Sequence, residues 1–106
     1  MKVVIDTLGG DYAPFEIIKG AVNAQKKHDD LSLILCGKED EILECLGKLK
    51  YDKTRIEIVS APDLISNDEI PTVAIREKKN SSLAVAFDIL KKDDDVIGLV
   101  SAGSTG

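Results

Sequence analysis

Along this chain, short apolar runs alternate with stretches of helical periodicity, and that rhythm sets every later expectation. The first run, Lys2-Val3-Val4-Ile5, is rich in β-branched residues, as suits a strand covered on both faces of a parallel sheet. Residues 14 to about 27 read as a helix, with Pro14 in its first turn, where a missing N–H costs nothing. Ile17, Ile18, Ala21, Val22 and Gln25 form its inward stripe, with Ala24 beside it. Residues 31–36 (Leu-Ser-Leu-Ile-Leu-Cys) are a second strand, stopped by Gly37. Residues 38 to about 50 are a second helix, acidic early (Glu39, Asp40, Glu41) and basic late (Lys48, Lys50), with Ile42, Leu43, Leu46 and Leu49 as its buried face.

Residues 55–60 (Arg-Ile-Glu-Ile-Val-Ser) form a third strand, which alternates more and therefore belongs nearer a sheet edge. Residues 61–70 are polar and turn-rich and read as a long loop, with one helical turn around 63–66. Pro71 to Ile75 opens a short helix. Ser81 or Ser82 then caps a helix over residues 83 to about 92, with Leu83, Ala86, Phe87 and Leu90 inward. Asp93-Asp94-Asp95 breaks it as a solvated turn, and Val96-Ile97-Gly98-Leu99-Val100 is the fourth strand. Short joints between alternating strands and helices predict a three-layer α/β fold: a parallel sheet, right-handed crossovers and helices on both faces. The fourth strand leads into a glycine loop where such a domain ordinarily begins another helix. The expectation is therefore that residues 1–106 are a single N-terminal α/β domain or subdomain of a longer chain.

Composition narrows the function classes. Hydrophobic residues make up 43%, so the chain is neither disordered nor membrane-like, and no apolar run approaches the ~20 residues of a membrane span. A strand follows Met1 at once with no signal-peptide pattern, which predicts a cytoplasmic protein. The net charge of −5 and the absence of Trp argue against nucleic acid as a partner. Cys36 and Cys45 lie nine positions apart, with no Cys-x-x-Cys and with His28 as the one histidine. This predicts reduced, buried or half-buried thiols and no metal site. His28 reads as a solvated residue near a helix end.

Two glycine-bearing segments follow apolar strands: Asp6-Thr7-Leu8-Gly9-Gly10-Asp11 and Ser101-Ala102-Gly103-Ser104-Thr105-Gly106. In a parallel sheet both fall on the carboxyl edge, where open α/β sheets take their ligands. Glycines let a ligand approach the backbone N–H groups, and a following helix adds its positive end, so anions suit these loops. Neither segment matches the Walker A or the Gly-x-Gly-x-x-Gly pattern, and no nucleotide cofactor is implied. Ser104 and Thr105 offer hydroxyl donors. Arg76-Glu77-Lys78-Lys79-Asn80-Ser81-Ser82 is the most basic stretch of an acidic chain, and cations beside a helix start make a holder for phosphate or carboxylate. The bland alternatives are simple turns and a solvated charged loop. Asp6 and Asp11 could orient a nucleophile or a cation, and Asp11 could equally cap the helix that Pro14 opens.

Taken in order, these segments resemble the bacterial PlsX family of phosphate acyltransferases (acyl-ACP:phosphate transacylases). The family pattern reads roughly Asp-x-Met-Gly-Gly-Asp-x-x-Pro, Arg-x-Lys-x-x-Ser-Ser and Ser-Ala-Gly-Asn-Thr-Gly. Here Leu8 stands where the family usually has Met, and Ser104 where it usually has Asn. The resemblance implies a fold like that of isocitrate/isopropylmalate dehydrogenases and phosphotransacetylases, here truncated. It implies transfer of a fatty acyl group from acyl-acyl-carrier-protein to inorganic phosphate, at the start of phospholipid synthesis, without a cofactor. It also implies a homodimer at full length, peripherally associated with the membrane, that hands its product to a membrane glycerol-3-phosphate acyltransferase. On this reading the turn formed by Asp6, Gly9, Gly10 and Asp11 shapes the cleft floor. Arg76, Lys79, Ser81 and Ser82 hold phosphate or the phosphopantetheine arm, and Ser104 and Thr105 add donors. The catalytic group is left unassigned. The rival readings are a short-chain phosphotransacetylase-like enzyme and a non-catalytic anion-binding module.

Overall fold

In the computed structural model, which describes residues 1–8, 14–61 and 82–101, four strands and three helices form in the expected order. They are β1 (Lys2–Asp6), α1 (Phe15–Lys27), β2 (Ser32–Gly37), α2 (Glu39–Leu46), β3 (Ile56–Ser60), α3 (Ser82–Lys92) and β4 (Val96–Val100), with a 3-10 turn at Lys53–Arg55. Every strand pair is parallel and the spatial order is β3-β2-β1-β4. The alternating β3 does lie at a sheet edge. The expected helical turn around 63–66 and the short helix at Pro71–Ile75 lie outside the described residues.

The sheet has helices on both faces, which makes three layers. On one face Ile18, Ala21 and Val22 of α1 and Ile42, Cys45 and Leu46 of α2 close over Ile5, Leu33 and Leu35. On the other, Ala86 of α3, joined by Val85, Ile89 and Leu90, covers Val4, Ile34, Cys36 and Val96. Alternate residues of β1 and β2 thus serve opposite cores, which is why these strands read as unbroken apolar runs. Each fully buried aliphatic side chain contributes roughly 1.5–3 kcal/mol of transfer free energy.

Two details of the helices differ from expectation. α2 ends at Leu46 rather than near residue 50, because Gly47 takes the C-cap and turns at Lys48 and Leu49 follow. Leu43 is not inward but 51% exposed. The inward row is Ile42, Cys45 and Leu46, with Leu49 packed against it, and Leu43 lies about 100° further round the helix. In α3, Phe87 is only half-buried, and Val85 and Ile89 pack instead.

Polar groups fix the joints. Gln25, buried under α1, donates to the carbonyls of Arg55 (3.1 Å) and Leu31 (3.4 Å). Arg55 belongs to the 3-10 turn rather than to β3, and its Nη1 donates to the carbonyls of His28, Asp29 and Leu31. Its guanidinium also binds Asp52 at 2.8 Å and holds that carboxyl down at about 2, with help from Thr54. Cys36 and Cys45 are buried and not joined in a disulfide, in keeping with their spacing.

Candidate anion-binding site

All four strands point the same way, so their carboxyl ends share one edge of the sheet. Strand order reverses between β1 and β4: the chain leaves β1 for β2 on one side, and β4 adds on the other. A reversal of this kind opens a crevice at the carboxyl ends, the usual ligand position in open α/β sheets.

Asp6 closes β1 at that point and is 4% exposed. Its Oδ1 accepts the Leu8 N–H at 3.0 Å, which shapes the turn, and its Oδ2 accepts the Ser101 hydroxyl at 2.8 Å. Backbone pairing of β1 with β4 ends at Ile5 and Val100, so the Asp6–Ser101 bond is one side-chain rung beyond the ladder. Thr7 ties the same turn to the other neighbour. Its N–H and its hydroxyl both donate to the Cys36 carbonyl, at 2.9 and 2.8 Å. Gly37 makes this possible, since a Cβ there would collide with Thr7 Oγ1. The segment after β1 is therefore anchored on both sides, to β2 through Thr7 and to β4 through Asp6.

Helix ends add a bias along the edge. α3 has 11 residues and β4 five, so both are about 16 Å long. The turn at Asp93–Asp95 reverses the chain tightly, with the Val96 N–H on the Asp93 carbonyl. The backbone at Ser82 therefore comes level with the carboxyl edge. α1 starts from the same edge with one acid, Glu16, in its first turn, and α3 has none there. α2 carries Glu39, Asp40 and Glu41 in its first turn, which cancels its positive end. Backbone electrostatics thus favour an anion between α1 and α3, over β1 and β4, and disfavour it at α2.

Of the residues the sequence nominates, Asp6 is fully described, and the backbone of Ser82 opens α3. Gly9, Gly10, Asp11, Arg76, Lys79, Ser81, Ser104 and Thr105 lie outside the described residues. Thr7 and Ser101 were not nominated. Gly37 after an apolar strand hinted at a close approach without saying by what, and nothing local marks Ser101 as the partner of a residue 95 positions away. No group of three His, Cys, Asp or Glu side chains suited to a metal ion occurs among the described residues. No helix among them is long and apolar enough to cross a membrane.

The family described as "Fatty acid synthesis protein" matches residues 1–106, the whole chain. The chain belongs to this family. It is the PlsX family that the three motifs resemble. The chain is 47% identical to a phosphate acyltransferase of Dictyoglomus thermophilum, over 100% of its own length and 31% of that relative. To phosphate acyltransferases of Thermoanaerobacter pseudethanolicus and Clostridium tetani it is 44% and 42% identical, again over its full length, covering 30% and 31% of theirs. This family member therefore spans about a third of the length of the curated relatives it matches.

Proposed function

We propose that these residues are the N-terminal third of a phosphate acyltransferase, which moves a fatty acyl group from acyl-acyl-carrier-protein to inorganic phosphate in phospholipid biosynthesis. The observation that carries this reading is the Asp6–Ser101 junction, which joins the starts of two family motifs at the point of strand reversal. The names of the full-length relatives support the reaction class.

A phosphate oxygen attacks the thioester carbonyl, and the tetrahedral adduct collapses with cleavage of the C–S bond. The products are acyl phosphate and the carrier's thiol, which takes up one proton. Such a reaction needs an oriented dianion and stabilisation of the carbonyl oxygen, not a covalent enzyme nucleophile. In this reading Gly9, Gly10 and Asp11 form the floor of the phosphate site. Arg76, Lys79, Ser81 and Ser82 neutralise and orient the anion, and Ser104 and Thr105 donate further hydrogen bonds. Peripheral membrane association, a homodimer and delivery of acyl phosphate to a membrane glycerol-3-phosphate acyltransferase belong to the same proposal.

The test uses full-length protein with long-chain acyl-acyl-carrier-protein and phosphate. Acyl phosphate is the expected product. Acetyl-CoA as the better donor would favour the short-chain phosphotransacetylase reading, and phosphate binding without product from either donor would favour a binding module.

A further inference from the structure

We infer that the apolar groove between α1 and β4 is the seat of a helix from the part of the full-length chain beyond residue 106. This inference rests on the reading of residues 1–106 as the N-terminal third of a phosphate acyltransferase, and adds where the rest of that chain docks.

Four observations lead to it. First, the groove holds about 400 Å³ and is walled by Val3, Ile5, Ile17, Ala21, Ala24 and Val100, with no polar residue in its lining. A contiguous apolar surface of this kind marks a place where something else packs. Second, β4 is covered on one face only. It gives Val96 and Leu99 to the core under α3, while the core on the α1 face holds no residue of β4. Helices ordinarily cover both faces of a parallel sheet, so the missing cover is a helix lying beside α1. Third, Gly20 sits in the middle of α1 and lines the groove, yet a Cβ there would meet nothing within 4 Å. The same holds at Gly98, the register partner of Val3. A glycine weakens the interior of a helix or strand, and no contact among the described residues requires one at either place. A helix that approaches α1 and β4 closely makes use of both. Fourth, the chain covers 31% of the Dictyoglomus thermophilum relative, so a full-length enzyme has ample further chain to supply the cover.

The test introduces Gly20→Cys and, separately, Val100→Cys into full-length protein and measures how fast each new thiol reacts with a thiol reagent, against the unmodified protein as background. Both thiols are expected to react at least about thirtyfold more slowly than in the same protein unfolded in urea, because reaction must wait for the cover to open locally. The protection is expected to be the same at every protein concentration and without any substrate. A smaller protection overturns the proposal, since the groove is then open. Protection that falls on dilution assigns the groove to a second copy, and protection that appears only with long-chain acyl-acyl-carrier-protein assigns it to the acyl chain. Either result overturns the proposal. If Gly20→Cys does not fold, Val100→Cys decides alone, as it exchanges one small side chain for another. Gly98→p-benzoylphenylalanine then identifies the cover by photo-cross-linking and peptide mapping. The expected product has the mass of a single chain and joins position 98 to a peptide beyond residue 106. A product of doubled mass, a cross-link within residues 1–106, or no cross-link overturns the assignment. Should the full-length protein form no acyl phosphate, the acyltransferase reading falls while the labelling and cross-linking still decide the docking site.

Discussion

The sheet has a closed interior and an open flank. β2 buries every residue from Leu33 to Gly37, with α1 and α2 on one face and α3 on the other. β4 contributes Val96 and Leu99 to the α3 side, yet leaves Ile97 65% and Val100 54% exposed. Beside Val100, an apolar groove runs along Val3, Ile5, Ile17, Ala21 and Ala24, and nothing among the described residues fills it. Two strands of similar apolar composition thus differ in what they do. β2 is scaffold: it holds both cores and, through the Cys36 carbonyl, the turn after β1. β4 is held more lightly by packing, so its place at the site depends more on polar contacts at its end. Rigid support on one side and a specific hydrogen bond on the other is how this edge is assembled.

The sharpest way to break that contrast is Leu35→Ala. Leu35 is fully buried in β2, and the cavity should cost about 2–5 kcal/mol, read by urea unfolding. An equal loss from Val100→Ala would show that β4 carries as much of the core as β2. Gly37→Ala comes next. The new methyl would displace the Thr7 hydroxyl from the Cys36 carbonyl, at a cost of roughly 1–3 kcal/mol. Thr7→Ala, which removes the atom that the new methyl meets, should make Gly37→Ala nearly silent, because the two act on one contact.

A further contrast is set by pH. Burial, reinforced by the negative charges of Asp6 and Glu57, pushes the Cys36 thiol up from 9.0 to about 12. The unfolded chain releases this proton near 9 and the folded chain keeps it. The contribution is therefore full below pH 9 and is lost as pH rises from 9 towards 12. Unfolding midpoints measured from pH 8 to 11 should fall with pH, and less steeply in Cys36→Ala. Parallel slopes would mean that β2 is less closed than described. Last, Ile97→Thr on the open flank should change stability by no more than about 0.5 kcal/mol.

Much of this was legible in the residues. The periodicity of residues 14–27 and the β-branched runs named the elements, and the alternation of Arg55-Ile56-Glu57-Ile58 marked an edge strand. The exposure of β4 was not legible, because an apolar run records what a strand can bury and not what is present to cover it. The inward face of α2 is ambiguous in sequence at Leu43 because Ile42 and Leu43 are adjacent apolar residues, and either could face inward until one register is chosen. At the site, Asp6 stood out by ending an apolar strand before two glycines. Ser101 and Thr7 did not, since their roles depend on which strands become neighbours, and that is a property of topology rather than of local sequence.

The central claim is that one anion site spans the carboxyl ends of β1 and β4. Titrating the isotopically labelled protein with inorganic phosphate and following its amide resonances tests this most directly. The account predicts saturable shifts in the 6–11 and 101–106 segments and at the start of α3, with the first turn of α2 and the opposite edge at Lys2 and Asp93 silent. Shifts concentrated at α2 or at that opposite edge, or no saturable shift at all, would contradict it.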